Sequence, residues 1–271
     1  MSHRAPDRSE ARKDRRRVCA IAAISLIALS GACASRAETA PGQEPPRSRL
    51  SAAEVKTTLV LARAARSAGD LPAAIGFYQR IAGKSADPAL RVELADTLLL
   101  NGRIDDAIGA YRAIPPTSRA GLAALLGLQR CYAQLRQPAL ALEYAQRAVG
   151  VAPRDEAARV DLGVALDALG RHAEAQAAYR LALLAMPMSI AARNDLALSL
   201  AMTGQFQEGV DILTPMANSS NASPRVRQNL ALIYGLKGDH AKAVALGRAD
   251  LAEADAEANA RVFDLARGRS R

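Results

Sequence analysis

Aromatic side chains are scarce in this sequence. Of 271 residues only 3% are aromatic, with three phenylalanines, six tyrosines and no tryptophan. Proteins that bind single-stranded nucleic acid stack its bases on aromatic side chains, so the composition argues against a nucleic-acid partner. Half of the residues are hydrophobic, mainly alanine and leucine, which is typical of a helical domain.

Histidine is equally scarce and indicates neither a catalytic nor a metal site. His3, His172 and His240 are the only three, whereas a metal site needs clustered ligands. His172 and His240 each fall two residues after a turn position of the repeat described below, which favours packing at the turn over metal binding. No Ser/His/Asp spacing indicates a nucleophile. We therefore expect no enzyme activity, no cofactor, no metal and no small-molecule substrate.

Cysteine is limited to Cys19, Cys33 and Cys131. Cys131 lies among apolar residues of a packing helix, where an unpaired cysteine is usually part of the core. Cys19 and Cys33 belong to an export segment, in which Cys33 is a candidate for acylation. We expect no intramolecular disulfide.

The net charge of +9 is unevenly distributed. Residues 1–32 carry seven arginines and lysines against three acidic residues, a net of +4, so the remainder of the chain carries +5. An excess of this size assists binding to an acidic partner or an anionic surface. The alternative, which we favour, is a mixed solvated surface with a modest excess of arginine.

A unit of two helices recurs along the chain. In DLGVALDALGRHAEAQAAYRLALLAMP, residues 161–187, an apolar helical stripe is interrupted at Gly170, and a second stripe then closes at Pro187. Glycine at the interruption predicts a left-handed turn that ends the first helix. The turn position recurs after 33 residues and then four times after 34 residues, at Gly69, Gly102, Arg136, Gly170, Gly204 and Gly238.

Three other positions keep the register of this repeat. Leucine stands eight residues before each turn, at Leu61, Leu94, Leu128, Leu162, Leu196 and Leu230. A small residue, which lets two helices cross closely, stands five residues after it, at Ala74, Ala107, Ala141, Ala175, Gly209 and Ala243. Tyrosine follows four residues later in three units, at Tyr78, Tyr111 and Tyr179. The chain therefore resembles the tetratricopeptide repeat family over about residues 55 to 251.

The resemblance implies an all-α fold, a right-handed superhelical solenoid of about six helix–turn–helix repeats with a C-terminal capping helix. The folded domain is expected over 51–268 and begins at Ser51, because Ser51 and Glu54 have the spacing of a helix capping box. The repeats are expected at about 55–87, 88–121, 122–155, 156–189, 190–223 and 224–251, followed by a cap at 252–268.

The N-terminal region predicts export and a tether. Three arginines at 15–17 precede VCAIAAISLIALSGACAS, residues 18–35, an order that is typical of a secretory signal peptide, here over residues 1–32. A permanent membrane anchor is the alternative, which the short apolar centre disfavours. Residues 33–50 contain three prolines and are expected to form a flexible tether.

The stretch LSGAC, residues 29–33, resembles the lipobox of bacterial lipoproteins, although its leucine stands one residue earlier than usual. The resemblance implies that Cys33 is acylated and becomes the first residue of the mature protein, which would be held at a membrane by its acyl chains. Ala34 resembles the outer-membrane class, so we expect an outer-membrane lipoprotein facing the periplasm. An inner-membrane anchor, or a soluble periplasmic protein in which Cys33 is an ordinary cysteine, is the alternative.

The family also implies a concave face, lined by the first helix of each repeat, that holds a partner protein. Most residues in the lining register are apolar and a few are polar, which suits an apolar or amphipathic helix or strand of a partner. The alternative is that many of them merely pack between repeats. The lining residues in this register are Val92, Asp96, Leu99, Leu126, Arg130, Val160, Val164, Asp167, Asn194, Leu198, Gln228 and Leu232.

The last repeat and the tail resemble a narrower family. The segments NLALIYGL (229–236), GRADL (247–251) and EANA (257–260) resemble the C-terminal part of the TadD family, the tetratricopeptide repeat proteins of the tight adherence (Flp pilus) assembly system. That resemblance implies a non-catalytic scaffold that aids assembly of an outer-membrane secretin. A general periplasmic adaptor, for example for cell-wall enzymes, is the alternative. An enzyme with an unrecognised site is disfavoured, because no catalytic constellation is found.

Overall fold

The computed structural model of the chain describes residues 50–83, 85 and 87–269. The signal peptide predicted at 1–32, Cys33 and all of the tether but residue 50 lie outside the described residues. The expected all-α solenoid is confirmed, since the described part contains thirteen helices and no strand. None of these helices combines the length and the apolarity that crossing a membrane requires.

Twelve helices form six consecutive pairs, and the thirteenth packs against the last pair. Each pair buries its apolar faces against itself and its neighbours, as stacked repeats must. The helices are α1 (Ala52–Ser67), α2 (Leu71–Ala82), α3 (Pro88–Leu100), α4 (Ile104–Arg112), α5 (Gly121–Gln134), α6 (Pro138–Val151), α7 (Glu156–Asp167), α8 (His172–Ala185), α9 (Ile190–Met202), α10 (Phe206–Ala217), α11 (Pro224–Lys237), α12 (His240–Gly247) and α13 (Glu253–Arg269).

The turn inside each pair has a central residue with a positive φ, which confirms the predicted turn positions. At Gly170 the φ is 73°, its N–H bonds the carbonyl of Asp167 at 2.9 Å, and the N–H of Arg171 bonds the carbonyl of Leu166 at 3.0 Å. These bonds satisfy carbonyl groups that the end of the first helix would leave unpaired. Five of the six central residues are glycines, whereas Arg136 adopts φ 53° with a Cβ present.

The first helix begins at the predicted capping box. The side chain of Ser51 accepts a hydrogen bond from the amide of Glu54 at 3.2 Å, and Glu54 in return accepts one from the amide of Ser51 at 2.7 Å. Two amides that the helix start would leave unpaired are thereby satisfied.

Close crossings between helices rest on small residues and on the repeat tyrosines. The small residues five positions after each turn are all buried, and Tyr78, Tyr111 and Tyr179 are at most 1% exposed. The ring of Tyr111 packs directly on Gly127 of the next pair, where a Cβ would lie 2.2 Å from the ring carbon Cζ. The glycine therefore makes room for the tyrosine of the preceding repeat.

Two apolar residues of the predicted core differ in how deeply they are buried. Cys131 is fully buried, and burial raises the pKa of its thiol to about 11, which confirms a core cysteine that is chemically protected. Leu61, by contrast, is 47% exposed, although the equivalent leucines of the other repeats are buried or half-buried. Its helix, α1, has no described helix before it.

Candidate partner-binding groove

The odd-numbered helices form the inner wall of the stack. Each of α3, α5, α7 and α9 packs on the odd-numbered helix that follows it, whereas no comparable contact joins successive even-numbered helices in the described part of the chain. The odd-numbered helices therefore lie on the narrower side, and the surface that they share is named here the groove.

The residues predicted to line the groove differ widely in exposure. Arg130, Val164 and Gln228 are exposed, and the buried members Leu99, Val160 and Asn194 offer little surface to a partner. A role of any of these residues in binding stays a prediction. The half-buried members are Val92, Asp96, Leu126, Asp167, Leu198 and Leu232.

Ion pairs connect successive repeats along the groove. Arg63 binds Glu93 at 2.6 Å, and Arg130 on α5 lies 3.3 Å from Asp96 on α3. The hydrogen bond from Arg63 is the main reason why the pKa of Glu93 is below its usual range, against an opposing effect of burial. These pairs fix the relative positions of the first helices of neighbouring repeats. They add little to the free energy of unfolding, because exposed ion pairs contribute little to stability.

Sequence reasoning missed a second set of polar groove positions. Glu93, Asp161, Asp195 and Asn229 stand 68, 34 and 34 residues apart, in one register of the repeat. Each directly follows a predicted lining residue, so the register could have been found by extending the set by one position. Asp195 lies 3.4 Å from Arg225 of the next repeat.

Asp167, a predicted groove residue, is the centre of a partly buried hydrogen-bond network. Its carboxylate accepts bonds from the hydroxyls of Tyr179 at 3.0 Å and Ser199 at 2.8 Å, and it lies 2.8 Å from Nδ1 of His172. The side chain thus ties together α7, α8 and α9. Asp167 and His172 act in the structure of the stack, and packing of His172 at the turn agrees with the expectation from the sequence.

Asp161 is the most perturbed carboxyl group of the groove. Burial raises its pKa to about 7, opposed by the positive charge of Arg130 and reinforced by the negative charge of Asp195. Burial also raises the pKa of Asp195, against the effects of Asn194 and Arg225. Desolvation disfavours the charged form of a carboxyl group, so this part of the groove would gain from a positive charge nearby.

A cavity of about 510 Å³ opens between the third and fourth pairs, and its lining residue Val164 stands one helical turn after Asp161. Its walls are mostly apolar and belong to α5, α6, α7 and the turn at Arg136. The lining residues are Ala133, Arg136, Pro138, Ala141, Val164, Ala165 and Ala168.

No three potential metal-ligating side chains come together within residues 50–83, 85 and 87–269. The groove combines apolar side chains, ion pairs and two carboxyl groups, Asp161 and Asp195, whose charged forms are disfavoured by burial. Such a surface can hold a chain segment by apolar contacts and ion pairs.

Comparison with known families decides the class of this fold. A family model for the tetratricopeptide repeat matches residues 59–121 and 130–190. The matched helix pairs are tetratricopeptide repeats. Repeats of this kind form scaffolds for protein–protein contacts, and proteins built from them are generally non-catalytic. A search of curated proteins finds no match.

Solved tetratricopeptide repeat structures share the fold at low sequence identity. A thermophilic tetratricopeptide repeat protein of Thermus thermophilus has 20% identity and a TM-score of 0.58, with coverage of 66% of this chain and 98% of its own. A tetratricopeptide repeat protein of Parabacteroides merdae has 18% identity and a TM-score of 0.58, covering 71% and 77%. A chain of the APC/C hetero-tetramer Cut9-Hcn1 has 18% identity and a TM-score of 0.63, covering 76% and 42%. At these identities the likeness concerns the fold alone.

Proposed function

We propose that this tetratricopeptide repeat protein is a non-catalytic scaffold lipoprotein that aids assembly of the tight adherence (Flp) pilus secretion apparatus, and in particular of its outer-membrane secretin. The observation that carries the proposal is the groove, an inner surface of apolar side chains interrupted by ion pairs between successive repeats. The narrower identity is supported by the sequence resemblance of residues 229–260 to the TadD family and of LSGAC to a lipobox.

The proposed mechanism is mechanical. Acylation of Cys33 places the protein on the periplasmic side of the outer membrane, and residues 33–50 let the helical stack reach away from the lipid. The groove then holds a segment of a secretin subunit and keeps its apolar side chains covered until subunits assemble. No covalent bond is made or broken in the partner.

Site-specific crosslinking in intact cells tests this function. A photoreactive amino acid replaces Val164 in the groove or, as the control, Gln146, which is exposed on the even-numbered helix α6. We expect a crosslinked secretin subunit from position 164 and none from position 146. The substitution Cys33→Ser should abolish the crosslink by releasing the protein from the membrane.

The alternative function is a general periplasmic adaptor, and the same experiment separates the two. Crosslinks from position 164 to cell-wall enzymes, with no secretin, would contradict the pilus role and leave the scaffold function in place. A crosslink to secretin that survives Cys33→Ser would contradict the acyl anchor.

A further inference from the structure

Asp161 lies on the same stripe of α7 as two residues that line the cavity. Asp161, Val164 and Ala168 are spaced by three and four residues, so they follow each other along a single stripe of the helix. Val164 and Ala168 line the cavity of about 510 Å³, and Asp161 stands one turn before Val164 and two turns before Ala168. The stripe of α7 that carries Asp161 therefore continues into the wall of the cavity.

Asp161 differs from the other acidic side chains of the groove in its partners. Glu93 and Asp195 are each paired with an arginine of a neighbouring repeat, and Asp167 accepts hydrogen bonds from two hydroxyl groups. Within the described residues, the carboxylate of Asp161 forms no hydrogen bond and no ion pair. Asp161 is half-buried, and partial desolvation disfavours its charged form, so a cation bound at this place would favour the ionised carboxylate.

We propose that the groove between α5 and α7 binds a partner segment in which a large apolar side chain stands next to a lysine or an arginine. The apolar side chain fills the cavity between Ala133 and Val164, and the cationic group binds the carboxylate of Asp161. This inference rests on the proposed function of the groove and names the chemistry of the segment that it takes.

The charges around Asp161 support a cationic occupant over an acidic one. The groups that act on it are Arg130 on α5, Asp195 on α9, and Asp155 and Glu156 at the start of α7. Arg130 is already 3.3 Å from Asp96, Arg225 lies 3.4 Å from Asp195, and Arg136 lines the cavity, so the acidic groups around this place outnumber the arginines. A segment with a glutamate or aspartate at this place would be repelled, and a wholly apolar segment would desolvate Asp161 without supplying a partner.

The same charges give the binding a pH dependence. Because burial holds the pKa of Asp161 at about 7, part of the population is protonated at neutral pH and cannot form an ion pair. A bound cation favours the ionised form. Binding of a basic segment should therefore release a proton and become tighter as the pH rises from about 6 to about 8.

The proposal is tested by peptide selection on the full-length protein in detergent micelles. A randomised dodecapeptide library is bound to the wild type, to Asp161→Asn, to Ala168→Phe and to Asp105→Asn, an exposed acid on the even-numbered helix α4 that serves as the control. We expect the wild type and Asp105→Asn to enrich peptides with lysine or arginine within two residues of leucine, isoleucine, phenylalanine or methionine. Circular dichroism verifies that each variant is folded.

The variants should separate the two parts of the site. Asp161→Asn should lose the preference for a basic residue and bind the best basic peptide about tenfold more weakly, as expected for one charge-assisted hydrogen bond. Ala168→Phe should lose the preference for a large apolar residue, because its ring occupies the cavity. Enrichment without a basic residue, enrichment unchanged by Asp161→Asn, or no enrichment at all would each overturn the proposal. None of these results changes the identity of the partner crosslinked in cells, so the proposed function is judged separately.

Discussion

The ring of Tyr179 occupies the space into which a side chain on Gly163 would point: a Cβ there would lie 2.4 Å from the ring carbon Cε1. The ring cannot move aside easily, because it is 1% exposed and its hydroxyl donates to Asp167 at 3.0 Å. Gly163 on α7 and Tyr179 on α8 thus define how closely the two helices of this pair approach.

Substitution of Gly163 should therefore destabilise the protein in spite of alanine's greater helix propensity. We expect Gly163→Ala to lower the free energy of unfolding by about 1–3 kcal/mol, the usual cost of overpacking a core. Gly109 on α4 is the matched control, since a Cβ there would meet no atom within 4 Å beyond the backbone of its own helix, and Gly109→Ala should stabilise by about 0.5–1 kcal/mol. Urea denaturation monitored by circular dichroism measures both, and equal effects of the two substitutions would contradict this packing argument.

Arg136 offers the opposite case, a position where glycine should be better than the residue present. It has φ 53°, in the region where the other five turn positions have glycine. Because a Cβ disfavours this conformation by about 1–2 kcal/mol, Arg136→Gly should raise the free energy of unfolding by about 1 kcal/mol, less the entropy that glycine gains in the unfolded chain. Gln137→Gly, next to it at φ −109°, has no such strain to relieve and should not stabilise. Thermal denaturation compares the two variants.

The fold could be predicted from the sequence because the turn, the small residue and the leucine recur with one period. A pattern that recurs in this way indicates that every unit has the same pair of helices. Leu99 and Val160, in contrast, were expected in the groove and are buried, whereas Asp161 was not expected there. Adjacent residues of a helix point about 100° apart. A small rotation of the first helix of a repeat therefore moves one residue from the groove surface into the contact between repeats and brings its neighbour onto the surface. That rotation is set by contacts between repeats, such as Tyr111 on Gly127, which the pattern within one repeat does not contain.

The network around Asp167 should be sensitive to removal of its acceptor. Asp167→Ala would leave the hydroxyls of Tyr179 and Ser199 without their partner in a largely buried site, so we expect a loss of about 2–3 kcal/mol. Ser199→Ala removes a single donor and leaves the other bonds to Asp167, and it should cost about 1 kcal/mol. Urea denaturation of the two variants and the wild type tests the order. A smaller loss for Asp167→Ala than for Ser199→Ala would show that the carboxylate does not hold these helices together.

Because of Asp161, the free energy of unfolding of the protein should decrease as the pH rises. Its pKa of about 7 in the folded state lies above the value of about 3.9 expected when unfolded, so between these values the folded protein binds more protons and becomes less stable with increasing pH. Asp161→Asn removes this loss. The substitution should leave the free energy of unfolding nearly unchanged at pH 4. Its stabilising effect should then grow up to about pH 7 and be on the order of 2–4 kcal/mol at pH 8.

The control for this prediction is Asp105→Asn, at an exposed acid of α4, whose effect on stability should hardly change with pH. Urea denaturation at pH 4, 6 and 8 gives the free energy of unfolding of each variant. A constant difference between Asp161→Asn and the wild type would mean that Asp161 is well solvated or paired in solution. It would also remove the energetic reason for a cation to bind there, so this measurement tests the surface chemistry of the groove before any partner is known.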